Sequence, residues 1–548
     1  MPESLFAQIG LILGLAAISG ALAQLFRQPL IVAFIIVGIV LGPSVTGLVE
    51  PSGGELELFA RLGIALLLFV VGLKLDLHVI RTVGPVALFA GVGQVLFTSV
   101  IGFFLCLMLG MDAVPAIYVA VALTFSSTII IVKLLSDKRE VDSLHGRIAV
   151  GFLIVQDIIV VLAMIGLTAL KHDSTPASLG TEAIAILLKG ALMLVVVALM
   201  MRYVLTPLLR QLARTSELLI LFAIAWAVSG AMAGEMLGFS KEVGAFLAGV
   251  SIASTPFRDQ IAARLVSLRD FLLLFFFIEL GSSLELDTIG AHVAPAIVLA
   301  LFVLIGNPVI VMVIMGTMGY RKRTGFLAGL TVAQISEFSL ILAALGASLG
   351  HIDGGTVALV TLVGMITITL STYMILYSQP LYQLLGPYLG RLERRHPHRE
   401  IRDEQASPQR VNALIIGMGR YGRALLASLG RQQKSVIAVD FDPEVVEFQT
   451  SMGIRTLYGD AEDPELLASL PVAHADWIIV TIRDQRTNSL VLQTLRQHGF
   501  DGKVAVTAAT ERDHQRLTEL GADLVLNPYR DAADEAAQRL VTWRDQRD

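Results

Sequence analysis

The chain has 548 residues, 55% hydrophobic and only 16% charged, with a formal net charge of −5 and a mean hydropathy of +0.72. Soluble globular chains carry about a quarter charged residues, so this composition excludes an ordinary cytosolic enzyme, a disordered chain and a small secreted scaffold. The charge gives no sign of nucleic-acid binding, and the single cysteine, Cys106, allows no intrachain disulfide.

The charges are unevenly spread. Residues 390–548 hold 21 Lys and Arg and 24 Asp and Glu, which leaves 20 basic and 22 acidic side chains for the first 389. The simplest division is a polytopic membrane domain over 1–385, a linker over 386–410 and a soluble domain over 411–548. Glu3 and the lack of a basic leader argue against a cleaved signal peptide.

A helix needs about 20 mainly apolar residues to cross ~30 Å of hydrocarbon. On that measure thirteen spans are expected, near 5–25, 29–47, 57–75, 85–110, 113–134, 147–170, 179–204, 216–237, 242–255, 267–285, 291–319, 324–349 and 354–379. With the C-terminus in the cytoplasm, 16 basic residues fall in inside loops and four, Arg61, Lys171, Lys189 and Lys241, fall outside. Basic residues concentrate on the cytoplasmic side. The expected topology is therefore N-terminus out and soluble domain in.

Ionisable groups deep in a span are costly and usually functional. Asp157 is the only charge between Ile148 and Leu170, ten residues into the sixth span, and Gln156 precedes it. In the fifth span Thr124, Ser126, Ser127 and Thr128 lie within five residues, at similar depth. Such a cluster fits a locally unwound segment that offers hydroxyls and freed carbonyls to a monovalent cation. The twelfth span holds Gln334, Ser336 and Glu337 at its middle, seven spans after the first candidate break. We read these residues as support for a second break, since two corresponding interrupted helices point to inverted repeats. Glu279 and Glu285 near the outer end of the tenth span are weaker candidates, and Asn307-Pro308 marks an expected kink in the eleventh.

After the linker the pattern changes to α/β. Val411–Ile416 reads as a buried strand, followed by Gly417-Met418-Gly419-Arg420-Tyr421-Gly422 and a helix-like Arg423–Gly430. A second strand, Val436–Val439, ends at Asp440, 23 residues after Gly417. Strand, glycine turn, helix, strand and acid together form a dinucleotide fingerprint. Gly417, Gly419 and Gly422 let backbone approach a phosphate at the helix N-terminus, and Asp440 can accept ribose hydroxyls. Further strands are expected at Arg455–Tyr458, Trp477–Thr481 and Val504–Thr507. No catalytic His, Cys or Lys stands out near this cleft, so a regulatory binding module fits better than a dehydrogenase.

These residues resemble a known family. Gly38–Pro43, Leu68–Asp76, Gln156-Asp157, Gly244–Gly249 and Gln334–Phe338 resemble the second cation–proton antiporter family, most closely its Kef-type potassium–proton antiporters. Gly417–Asp440 and Tyr458-Gly459-Asp460 resemble an RCK N-terminal (TrkA-N) domain. The resemblance implies a homodimer, an elevator-like motion, and crossing broken helices at Thr124–Thr128 and Gln334–Ser339. It implies that Asp157 binds cation or proton beside Gln156, where electrogenic sodium relatives carry a second acid. In the tail it implies that Arg420, Asp440 and Asp460, with Glu462 beside them, contact AMP or NAD(H). Two departures stand out. Many relatives have a lysine where Asn307 stands, and the acidic loop of glutathione-gated members is missing from Thr255–Asp270.

The expected function is a nucleotide-regulated potassium:proton antiporter with no prosthetic group. A sodium:proton antiporter of the same fold is the alternative, disfavoured by Gln156. A ligand-gated potassium channel would need a TVGYG-like filter, which is missing.

Overall fold

The computed structural model describes residues 5–48, 55–74, 84–138, 140–141, 143–168, 195, 197, 199–213, 215–237, 239–284, 286–390, 411–432, 435–459, 461, 470, 475–497 and 500–545. These fall into two units, one helical and one α/β.

In the helical unit seven described helices are long and apolar enough to cross a membrane, from Phe6–Leu25 to Gly354–Leu376, and three shorter apolar helices accompany them. Most expected spans appear as helices. The seventh, 179–204, lies largely outside the described residues, which resume with a π-helical turn at Met200–Leu205 leading into Thr206–Leu212. The tenth helix runs Arg258–Ser282, starting nine residues before the apolar run at 267. Backbone hydrogen bonding does not stop where hydropathy falls, so a charged first section continues the same helix.

Two spans are interrupted. The fifth is split into Ala113–Ala122 and Thr128–Asp137, with a non-helical stretch at 123–127. The twelfth is split into Lys322–Leu330 and Glu337–Ser348, with the gap at 331–336. The second gap thus lies earlier than the expected Gln334–Ser339. Ser336 is the N-cap of the following half-helix, and its hydroxyl accepts the Phe338 N–H at 3.1 Å while Ser339 Oγ accepts the Ser336 N–H at 3.3 Å. This reciprocal cap makes Glu337–Ser339 the first helical turn. The expected kink at Asn307 is a π-helical stretch over Phe302–Gly306, which absorbs the disruption Pro308 brings.

Apolar side chains of the unit gather in two main clusters. One joins the residues around both breaks, including Leu123, Phe125, Ile335 and Phe338, to Met164, Leu299 and Val360. The other joins Ile12, Phe69, Leu219, Ile252 and Phe275. Within the second, helices pack backbone to backbone through glycine. A Cβ on Gly72 would lie 2.2 Å from Phe246 O, and one on Gly249 would lie 2.0 Å from Phe69 O. Small residues at such crossings replace the missing hydrophobic drive with close van der Waals contact.

The α/β unit is a six-stranded parallel sheet of order β3-β2-β1-β4-β5-β6. The strands are β1 Val411–Ile416, β2 Val436–Asp440, β3 Thr456–Tyr458, β4 Ala475–Val480, β5 Lys503–Thr507 and β6 Leu524–Leu526. Ile416 pairs with Val439 on one side and Val480 on the other, so β1 is central. Apolar clusters cover both faces, as a parallel sheet requires. The order reverses between β1 and β4, which opens a crevice at the carboxyl ends of the strands.

Candidate functional site

The helix Leu144–Thr168 carries Gln156, almost fully buried, and Asp157, half-buried, at its middle. Asp157 Oδ2 accepts a hydrogen bond from Thr128 Oγ1 at 3.1 Å, the first residue of the half-helix after the break. Gln156 Oε1 accepts the Ser126 N–H at 3.0 Å. Gln156 thus meets the unwound segment, and Asp157 meets the residue that follows it. Lys74, at the end of the third helix, and Glu337 lie within electrostatic range of Asp157.

The four hydroxyls of the first break have different roles. Thr124 Oγ1 donates back to Val121 O at 2.7 Å, and Ser127 Oγ accepts the Ile130 N–H as an N-cap. Thr128 faces Asp157. Ser126 Oγ is buried and has no hydrogen-bond partner among the described residues. Buried polar atoms are rarely left so.

The two breaks are tied together. Ser339 Oγ donates to Ala122 O at 2.6 Å, joining the start of one half-helix to the end of the other. Asn307 Nδ2 donates to Leu123 O at 3.1 Å and Val332 O at 3.5 Å, one carbonyl from each break. Thr367 Oγ1 accepts the Ile335 N–H, and Gln334 Oε1 accepts from Ser371 Oγ at 2.7 Å. Glu337, nearly fully buried, accepts from Ser336 Oγ at 3.2 Å. Gln334, Ser336 and Glu337 therefore bond within or beside the second break. Sequence reasoning missed Gln94, Thr98, Thr367 and Ser371. Their only signal was polarity inside apolar spans.

The C-terminal end of Thr128–Asp137 is fixed by Lys138. Its Nζ donates to Ile375 O at 3.2 Å and Ser378 Oγ at 2.7 Å, and pairs with Glu140 at 2.8 Å. Burial alone would push the Glu140 carboxyl up, but a hydrogen bond from His145 and the charge of Lys138 override it and hold the group at about 2. An unfolded glutamate titrates near about 4.3. The lowered folded value contributes stability above that pH, which is lost as pH falls toward 2. The melting-temperature gap between the wild type and Glu140→Gln in detergent should therefore narrow steadily below about pH 4.3. A gap that stays constant down to pH 3 (roughly midway between the two values) contradicts this.

In the α/β unit Gly417 follows β1 with φ +98°, a left-handed conformation that favours glycine. A Cβ on Gly422 would lie 2.0 Å from Gly417 O, so this glycine sets the turn's tightness. Gly419 caps the helix Arg420–Arg431, and a Cβ there meets nothing within 4 Å. Arg420 is exposed in the first turn. Asp440 sits at the end of β2, and its two oxygens accept the Met418 and Asp442 N–H groups. It braces the glycine turn. Asp460 and Glu462 lie outside the described residues.

Comparison with known proteins agrees with this geometry. Residues 12–376 match the sodium/hydrogen exchanger transmembrane family, and residues 413–528 match the TrkA-N domain. The putative cation/proton antiporter YbaL of Escherichia coli K12 is 27% identical, over 96% of this chain and 96% of its own length. The putative K(+) efflux antiporter KefB of Alkalimonas amylolytica is 29% identical, over 95% of this chain and 78% of its own. The solved sodium proton antiporter MjNhaP1 of Methanocaldococcus jannaschii superposes with a TM-score of 0.51 at 18% identity, over 70% of this chain and 99% of that one, a likeness of fold. These relatives are transporters, not enzymes. The chain belongs to the sodium/hydrogen exchanger family: it is a multi-pass cation/proton antiporter that carries a C-terminal TrkA-N domain with a nucleotide-binding fold.

Proposed function

We propose that this antiporter exchanges potassium for a proton at Asp157, under the control of an adenine nucleotide bound in its cytoplasmic domain. The observation that carries the reading is the half-buried Asp157 bonded to Thr128, the first residue after a helix break that also holds the buried Ser126 Oγ, which has no hydrogen-bond partner among the described residues. Gln156 is neutral and committed to the Ser126 N–H, so a single carboxylate carries the exchange. One proton against one cation then moves no net charge. The potassium-efflux name of the KefB relative favours potassium. An elevator motion is what the family resemblance implies, and the hydrogen bonds of Ser339 and Asn307 that tie the two breaks together favour their moving as one body. The bias of basic residues favours an N-terminus outside the membrane, and the resemblance favours a homodimer in a bacterial inner membrane.

The test is dye-reported proton flux in proteoliposomes after a potassium or sodium pulse. Potassium should drive proton movement at a lower concentration than sodium, and clamping the membrane potential should leave the rate unchanged. Ohmic current, or no cation-driven proton movement, would sink the proposal. Equal or better response to sodium would assign the chain to sodium instead.

A further inference from the structure

Behind the first break lies a ring of hydrogen bonds with no charged member. It starts at the Ser126 N–H, which donates to Gln156 Oε1 at 3.0 Å. Gln156 Nε2 donates to Gln94 Oε1 at 2.7 Å. Gln94 Nε2 donates at 3.2 Å both to Thr98 Oγ1 and to Thr124 O. The Thr98 hydroxyl donates to Asn307 Oδ1 at 3.0 Å, and Asn307 Nδ2 returns to Leu123 O in the same break and to Val332 O in the other. Gln94, Thr98, Gln156 and Asn307 are each at most 1% exposed.

Every donor in the ring points the same way. Gln94 and Asn307 each use their carbonyl oxygen and both amide hydrogens, and Thr98 both accepts and donates. Turning any of these amides over would set donor against donor in a buried place, where each lost bond is costly. The direction in which Ser126 N–H points is thereby fixed. Because the Phe125–Ser126 peptide is planar and trans, its carbonyl must point the opposite way, away from Gln156. Asn307, meanwhile, sets the separation of the two breaks by holding a carbonyl of each. Gln94 and Thr98 are spaced four apart on one helix, so both face the ring.

We propose that Gln94 and Thr98 are positioning residues for the cation site. Acting through Gln156 and Asn307, they fix the orientation of the Phe125–Ser126 peptide and the spacing of the two breaks, and so set cation affinity and selectivity. Neither side chain touches Asp157 by a hydrogen bond. The proposal rests on Asp157 being the exchanging carboxylate.

The test is cation-driven proton flux by the full chain in proteoliposomes, with potassium and with sodium. Thr98→Val keeps the side chain's shape and removes the hydroxyl from the middle of the ring. Its KM for potassium should rise about tenfold, the ratio that a loss of ~1.4 kcal/mol gives. Its maximal rate should stay within about twofold, and its potassium-to-sodium preference should fall. Thr98→Ser restores the hydroxyl and should restore KM. Gln94→Met, which breaks the ring one bond earlier, should match Thr98→Val and decides the case if the valine variant folds poorly in membranes. An unchanged KM and selectivity in folded Thr98→Val or Gln94→Met overturns the proposal, as does a fall in maximal rate alone that serine does not rescue. Asp157→Asn separates the two readings. If that variant still exchanges, the underlying reading has failed. If it is dead while the Thr98 and Gln94 variants keep wild-type KM, only this inference has.

Discussion

Asp157→Asn should reduce cation-driven proton movement to the level of empty vesicles while the protein folds and inserts normally. The amide is almost the same size as the carboxyl, and its oxygen can still accept the hydrogen bond from Thr128 Oγ1. What it loses is the ability to exchange a proton for a cation. Taking a bare carboxylate out of water costs several kcal/mol. A site that moves between the two faces therefore crosses loaded, with either a proton or a cation, and this couples the two flows. An amide crosses empty at little cost and carries neither. Proteoliposome dye traces, with yield and melting in detergent as the folding check, make the measurement. Residual potassium- or sodium-dependent proton flux in the variant would move the exchange to another group, with Glu337 the next to test because it lies within electrostatic range of the same place.

Much of this site was legible in the chain because its cost is local. A carboxylate in the middle of an apolar run and four hydroxyls within five residues are anomalies that need no partner to be noticed. The position of the second break was less legible. Four of the six residues Gln334–Ser339 are polar, and together with the family resemblance they suggested an unwound segment there. The Ser336 and Ser339 cap bonds turn its second half into a helix start, and the break moves back to 331–336. Of the ring through Gln94, Thr98, Gln156 and Asn307, only Gln156 and Asn307 drew notice in the sequence, and nothing there linked them. Its four members come from three segments distant in the chain, and only packing brings them together. In the α/β unit the fingerprint placed β1 and β2 within a residue, because the glycine turn and the acid are tied to strand ends. The sixth strand, Leu524–Leu526, was not expected. It is three residues long at the sheet edge, and Leu524 is exposed, so it lacks a buried apolar run.

Gly419→Val should abolish adenine-nucleotide binding and, with it, any response of transport to nucleotide. Glycine variants in such a turn often fail for a trivial reason, and the structure separates the two causes. A side chain at Gly422 would collide with Gly417 O at 2.0 Å, so Gly422→Val should damage the fold of the turn itself. A Cβ at Gly419 meets nothing within 4 Å, so the turn should survive. Valine there occupies the open space in front of the helix Arg420–Arg431, where a phosphate would be met by backbone N–H groups and by Arg420. Asp440→Ala is the less clean probe, since it also strips an acceptor from the Met418 and Asp442 N–H groups. Calorimetric titration of the full chain in nanodiscs with AMP, NAD+ and NADH gives binding, and proteoliposome flux with the same ligands gives the response. A nucleotide changes transport only if it binds two states of the protein unequally, and a tenfold difference in affinity shifts their balance by about 1.4 kcal/mol. Wild-type binding with no change in flux would leave the domain without a regulatory role. Wild-type affinity retained in Gly419→Val would move the ligand away from the glycine turn, and with it the assignment of Asp440 to the ribose.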